Sequence, residues 1–107
     1  MRRIRFRTSA SRDLRQIANQ TRQRWGADQA AKYVDRLRSD IKSLAEFALR
    51  FPLLEDTRLS LRKMPSGYHL VFYLVSETEV EIVRVLHERM EARHRLDRGS
   101  FVTGDES

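Results

Sequence analysis

Gly67-Tyr68-His69-Leu70-Val71-Phe72-Tyr73-Leu74-Val75-Ser76-Glu77-Thr78-Glu79-Val80-Glu81-Ile82-Val83-Arg84-Val85-Leu86 is the stretch that decides the fold. Tyr68 to Val75 is apolar, aromatic and β-branched, the composition of a central strand covered on both faces. Ser76-Glu77-Thr78-Glu79 turns the chain, and Val80 to Leu86 makes a last strand. Upstream, Leu59 to Met64 reads as a strand with Leu59, Leu61 and Lys63 on one face, and Pro65-Ser66-Gly67 as the turn that follows it. Turns this short force antiparallel pairing, so three consecutive strands form a meander whose apolar face needs a cover.

The first half of the chain supplies that cover. Ile4 and Phe6 alternate with Arg3, Arg5 and Arg7, the period of two of a half-buried strand over residues 2–7. Thr8 or Ser9 is placed to cap a helix running from Ala10 to Trp25, with Ala10, Leu14, Ile17, Ala18, Thr21 and Trp25 on one face. Gly26 fits a left-handed helix end and Asp28 a second N-cap. Ala30, Val34, Leu37, Ile41, Leu44, Ala45 and Ala48 then repeat at helical spacing until Pro52 stops them. So short a link folds the two helices into an antiparallel hairpin. The order β-α-α-β-β-β is an α+β fold: a helical hairpin on a mainly antiparallel sheet. His87 to Leu96 adds a short charged helix, making residues 1–97 one domain and residues 98–107 a flexible tail.

A chain of 107 residues with 40% hydrophobic and 34% charged content has room for one ordinary core. It holds no cysteine, no signal-peptide pattern and no run near the ~20 apolar residues of a membrane span, which predicts a cytoplasmic protein. The net charge is +6, and residues 1–38 carry ten Arg and one Lys against three Asp (11 − 3 = +8). Such a field suits an acidic partner, and equally a solvated surface.

Asp13-Leu14 with Ile17, Arg24-Trp25-Gly26 followed by Gln29-Ala30 and Tyr33, Gly67-Tyr68-His69-Leu70-Val71-Phe72-Tyr73, and Ile82-Val83-Arg84-Val85-Leu86-His87 with Met90 occur in that order. In this order and spacing the chain resembles the RelE/ParE superfamily of toxins from bacterial toxin–antitoxin operons, and within it the ParE branch. The resemblance implies a toxin that binds DNA gyrase and traps its cleaved-DNA complex, silenced by a ParD-like antitoxin; nucleic acid is then met only through gyrase or the antitoxin. It implies an antitoxin lying across the helices, for which Arg15, Arg22, Trp25, Tyr33 and Leu37 are the candidate contacts. The candidate gyrase-facing residues are Arg84, His87, Arg89, Met90, Arg93 and His94. The chain departs from the branch at Glu91, where Asp is usual, at Leu53-Leu54-Glu55-Asp56, which lacks the usual glycine, and in the extra residues Gly99 to Ser107.

The rival within the superfamily is a RelE-type ribosome-dependent endoribonuclease, for which the candidate catalytic residues are His69, Arg62, Lys63 and His94. That chemistry needs a base, an acid and cations converging on one phosphate. Aligned to such enzymes, the central-strand arginine falls at His69, the arginine after the last strand at Met90 and the C-terminal tyrosine at His94. A methionine cannot hold a phosphate, so the chain reads as a binding inhibitor and not as an enzyme; an inactive, antitoxin-binding relative is the third reading. Plainer roles exist for several of these residues: Trp25 as core at the hairpin tip, His87 as a backbone partner at a strand end, and Arg84 as the partner of a carboxylate. His87-Glu88-Arg89-Met90-Glu91 lacks the second histidine of a zinc-protease helix, and no phosphate loop or dinucleotide fingerprint is present, so neither metal nor cofactor is assigned.

Overall fold

The computed structural model describes residues 1–54 and 60–90. Its elements are β1 (Arg3–Phe6), α1 (Thr8–Trp25), α2 (Ala27–Phe47), β2 (Arg62–Ser66), β3 (His69–Val75) and β4 (Glu79–His87). The strands form one sheet in the order β1-β4-β3-β2, with β2, β3 and β4 antiparallel and β1 parallel to β4. The α+β reading and the meander agree with this architecture.

The helical hairpin covers one face of the sheet. Leu14 and Ile17 of α1 and Leu37, Ile41 and Leu44 of α2 pack on Met64, Val71, Tyr73, Val80, Ile82 and Val85. Alternation sends the other set outward, where Leu61, Phe72, Val83 and Leu86 form a second cluster joined by Leu54, Leu70 and Leu74. The chain after α2 covers this outer face through a backbone bond from Leu54 N–H to the Leu61 carbonyl (2.7 Å). Thus β3 is buried on both sides, as its composition requires. The Tyr73 hydroxyl donates to the Ala48 carbonyl at 2.8 Å beneath the core, and burial pushes its pKa up to about 12.

Several local readings are corrected. Helix α1 begins at Thr8 with Arg7 as its N-cap and no side-chain cap, so neither Thr8 nor Ser9 caps it; the Ser9 hydroxyl instead donates to the Val83 carbonyl at 2.8 Å. Asp28 lies in the first turn of α2, whose N-cap is Gly26. The whole interhelix link is Gly26, at φ 86° and ψ 167°, an extended mirror-image conformation beyond the left-handed helical one and open in practice only to glycine. Helix α2 stops at Phe47, ahead of Pro52. Pro65 and Ser66 belong to β2, and the tight turn is Gly67-Tyr68. Pro65 is tolerated because β2 is an edge strand. Leu59 lies outside the described residues, as do residues 91–107, which hold most of the expected terminal helix and all of the tail; Glu88–Met90 are helical.

Part of the N-terminal positive charge is matched within the sheet. Arg3 and Arg5 of β1 reach Glu79 at 3.6 and 3.4 Å, and Arg5 and Arg7 reach Glu81 at 3.4 and 2.8 Å. The parallel register, which pairs Arg3 with Glu79 and Arg5 with Glu81, makes this ladder possible.

Candidate functional site

The glycine link at the hairpin tip brings the end of α1 beside the second turn of α2. Trp25 and Tyr33 meet edge to face with ring centroids 5.8 Å apart. The Gly67-Tyr68 turn slides beneath them, placing Tyr68 6.4 Å from Trp25 and 6.5 Å from Tyr33. Gly67 is required there twice over: its φ is +58°, and a Cβ on it would lie 2.8 Å from the Tyr33 ring. On the sheet, His69 and His87 are register partners across β3 and β4, with rings 5.3 Å apart, and His87 lies parallel to Tyr68 at 6.5 Å.

Four of these rings, with Tyr33 behind them, border a groove of about 770 Å³ lined by Ile17, Gln20, Thr21, Gln23, Arg24 and Trp25 of α1, by Tyr68, His69 and His87, and by Glu88 and Arg89 beyond β4. Trp25 and Tyr68 are 44% and 55% exposed, so Trp25 is not the core residue that its helical position suggests. Glycine ends the helix immediately after Trp25 and leaves the indole at the lip.

Tyr33, His69 and His87 are held by one another and by the backbone. The Tyr33 hydroxyl accepts the Tyr68 N–H at 2.9 Å and bonds His69 Nδ1 at 2.5 Å. Burial, and then the nearby His87, holds the His69 pKa down to about 4, so at neutral pH its ring is uncharged and Nδ1 can accept the Tyr33 proton. Burial also raises the Tyr33 pKa. His87 Nδ1 accepts the Arg89 N–H at 3.0 Å, the backbone-bonding role expected of a strand-ending histidine. The aromatic floor, with the neutral His69 and with Arg24, Glu88 and Arg89 around it, offers apolar surface and charge to the side chains of a partner.

The candidate ribonuclease residues are not gathered here. Arg62 pairs in register with Tyr73, four positions along β2 from the Ser66–His69 pair, about 13 Å away, and donates to the Phe51 carbonyl. Lys63 pairs with Phe72 on the opposite face of the sheet from His69. His94 lies outside the described residues, as does Arg93.

Of the candidate antitoxin contacts, Trp25 lines the groove and Tyr33 packs behind it, and Arg15 and Arg22 are exposed on α1, Arg22 donating to Asn19 at 2.9 Å. Leu37 is corrected: at 1% exposure it belongs to the core and is closed to any partner. Of the candidate gyrase contacts, Arg89 and Met90 are exposed and His87 lines the groove. Arg84 is held by Asp13 at 2.9 and 3.2 Å.

Tyr68 and Arg24 were missed as site residues, although both lie in motifs that carry the resemblance. The signal was available at Tyr68, since an aromatic residue following a turn glycine has no core to enter.

Residues 4–92 match the family described as the ParE toxin of the type II toxin–antitoxin system parDE. The chain is 42% identical to toxin ParE1 of Caulobacter vibrioides over 87 residues, 81% of this chain and 90% of that one. It is 35% identical to toxin ParE1 of Mycobacterium tuberculosis (82% and 91% covered) and 36% identical to toxin ParE of Escherichia coli (81% and 85%). Among solved structures, a chain of the chromosomal ParDE system from P. aeruginosa superposes with a TM-score of 0.72 at 19% identity, covering 81% of this chain and 96% of that one, a likeness of fold.

Proposed function

The chain belongs to the ParE toxin family of type II toxin–antitoxin systems, and on that premise we propose that it arrests growth by binding DNA gyrase and trapping its cleaved-DNA complex, until a ParD-like antitoxin neutralises it. The observation that carries this reading is the family match over residues 4–92, which spans every element from β1 to β4. The site supports a binding inhibitor over an enzyme: His69 is neutral and engaged by Tyr33, while Arg62 and Lys63 lie elsewhere. Gyrase works on chromosomal DNA, so the toxin acts in the cytoplasm; no helix among the described residues is long and apolar enough to cross a membrane.

The antitoxin segment is assigned to the groove at the hairpin tip. Apolar side chains of the partner cover Trp25 and Tyr68, Tyr33 backs them, and acidic residues meet Arg15, Arg22 and Arg24. The gyrase-facing element is the stretch beginning at Arg89 and Met90 and continuing through Arg93 and His94, with His87 at its base. Arg84 serves it indirectly by fixing β4 to α1.

A supercoiling assay tests the function. Purified protein added to gyrase and plasmid should leave linear, cleaved DNA after detergent and protease treatment, and equimolar antitoxin should abolish it. Unimpaired supercoiling at stoichiometric excess, together with cutting of ribosome-bound messenger RNA that is lost on His69→Ala, would replace this reading with the ribonuclease one.

A further inference from the structure

The positive charge of the first half of the chain is unevenly matched. On β1 the arginines meet Glu79 and Glu81. Helix α2 sets four bases, Lys32, Arg36, Arg38 and Lys42, against four acids, Asp28, Asp35, Asp40 and Glu46. Helix α1 does not balance: Arg12, Arg15, Arg22 and Arg24 stand against Asp13 alone (4 − 1 = +3), and Asp13 is turned inward to Arg84.

Helical spacing sorts α1 onto two faces. Ala10, Leu14, Ile17 and Thr21 are buried, and on the opposite side Arg12, Arg15, Gln16, Asn19, Arg22 and Gln23 are exposed. These six are three guanidiniums and three amides, without a carboxylate or an apolar side chain among them. That combination selects among anionic partners. A protein interface buries an apolar centre, and the exposed rings Trp25 and Tyr68 lie in the groove, on the sheet side of the helix. A phosphate backbone needs no apolar centre, since arginine, asparagine and glutamine donors and net charge bind it. Arg22 gives one N–H to Asn19 at 2.9 Å and keeps other donors for a bidentate grip. From Arg12 to Arg22 the helix rises about 15 Å, a length over which duplex DNA presents about nine phosphate charges.

We propose that the outer face of α1 binds the phosphate backbone of duplex DNA directly and without sequence preference, through Arg12, Arg15 and Arg22. This adds a direct contact to the indirect ones that the family resemblance implies. An antitoxin anchored in the groove, with acidic residues reaching Arg15 and Arg22, would compete with the DNA for those two arginines. That consequence rests on the antitoxin reading; the DNA contact itself does not, and it is tested with neither gyrase nor antitoxin present.

The measurement is fluorescence anisotropy of a labelled DNA duplex of about 20 base pairs titrated with the full chain. Three arginine contacts predict an affinity that falls about fortyfold between about 50 and 200 mM salt. Arg15→Gln/Arg22→Gln should weaken binding at the lower salt about tenfold or more and reduce the salt effect to about fourfold, since one contact remains. Lys32→Gln/Lys42→Gln, on the balanced helix α2, should change the affinity less than about threefold. No saturable binding below about 100 µM protein at the lower salt would overturn the proposal. So would equal losses from the two double variants, which would reduce the effect to net charge. Displacement of the duplex by polyglutamate as readily as by unlabelled DNA would also overturn it and give the face to an acidic protein segment. All four substituted positions are exposed, and circular dichroism checks the folding of each variant. Should a double variant fail to fold, the four single substitutions carry the same comparison.

Discussion

Two glycines carry opposite kinds of constraint, and single substitutions separate them. At Gly26 nothing lies within 4 Å of an added Cβ, so Gly26→Ala meets only the backbone conformation at φ 86° and should cost about 1–3 kcal/mol by denaturant unfolding. Gly67→Ala adds a clash with the Tyr33 ring to a left-handed backbone; it should cost as much and also disturb the groove, visible as a change in Trp25 emission that Gly67→Ala produces and a distant destabilising variant does not. His69 supplies a pH signature. The unfolded chain binds its proton near pH 6.5, while the folded chain refuses it until about pH 4. Stability is therefore fully present above about pH 6.5 and falls as pH drops toward 4, by roughly 2–3 kcal/mol. Unfolding midpoints measured between pH 7 and pH 4 should show the fall, and His69→Asn should flatten it. A His69 ring resonance titrating near 6.5 would contradict the mechanism.

Among the elements, the decisive joint is α1 against β4. Phe72 pairs with Arg84 and Tyr73 with Ile82, so Val83 is an extra residue and β4 is bulged there. The bulge re-aims Arg84 toward α1, where Asp13 takes its guanidinium at two points and also accepts the Val85 N–H at 2.9 Å; Ser9 satisfies the Val83 carbonyl. One carboxylate thus closes both a half-buried cation and a disrupted ladder. Asp13→Ala should cost about 2–4 kcal/mol, more than Arg84→Ala, because it strands two donors where the other strands none. A double-mutant cycle over the pair should give a coupling above 1 kcal/mol. The exposed rungs of the β1 ladder behave differently: Arg3→Ala should change stability by less than about 0.5 kcal/mol, since solvent already screens that pair.

For the molecule as a whole, the groove variants Trp25→Ala and Tyr68→Ala should leave the unfolding midpoint nearly unchanged, as both rings are substantially exposed, yet weaken antitoxin binding by about 2 kcal/mol or more, near thirtyfold, in calorimetric titration. Equal losses of stability and binding would mean the groove is merely structural. The period-two and period-3.6 patterns, the turn lengths and the apolar runs determined the element order, the hairpin and the double burial of β3, because those depend on which side chains neighbour one another along the chain. The motif order likewise carried the family. Spacing alone could not place Leu37 in the core and Trp25 at the surface, since each falls on the apolar face of its own helix, and only the packing decides that Leu37 of α2 meets the sheet while Trp25, at the very end of α1, runs past its cover. Nor could it show that Arg62 and Lys63 stand apart from His69, that a bulge turns Arg84 onto Asp13, or that Tyr33 and Tyr68, 35 residues apart, bond to each other beside two histidines. Those are facts of tertiary register, fixed when helix and sheet pack and each buried polar group must find its partner.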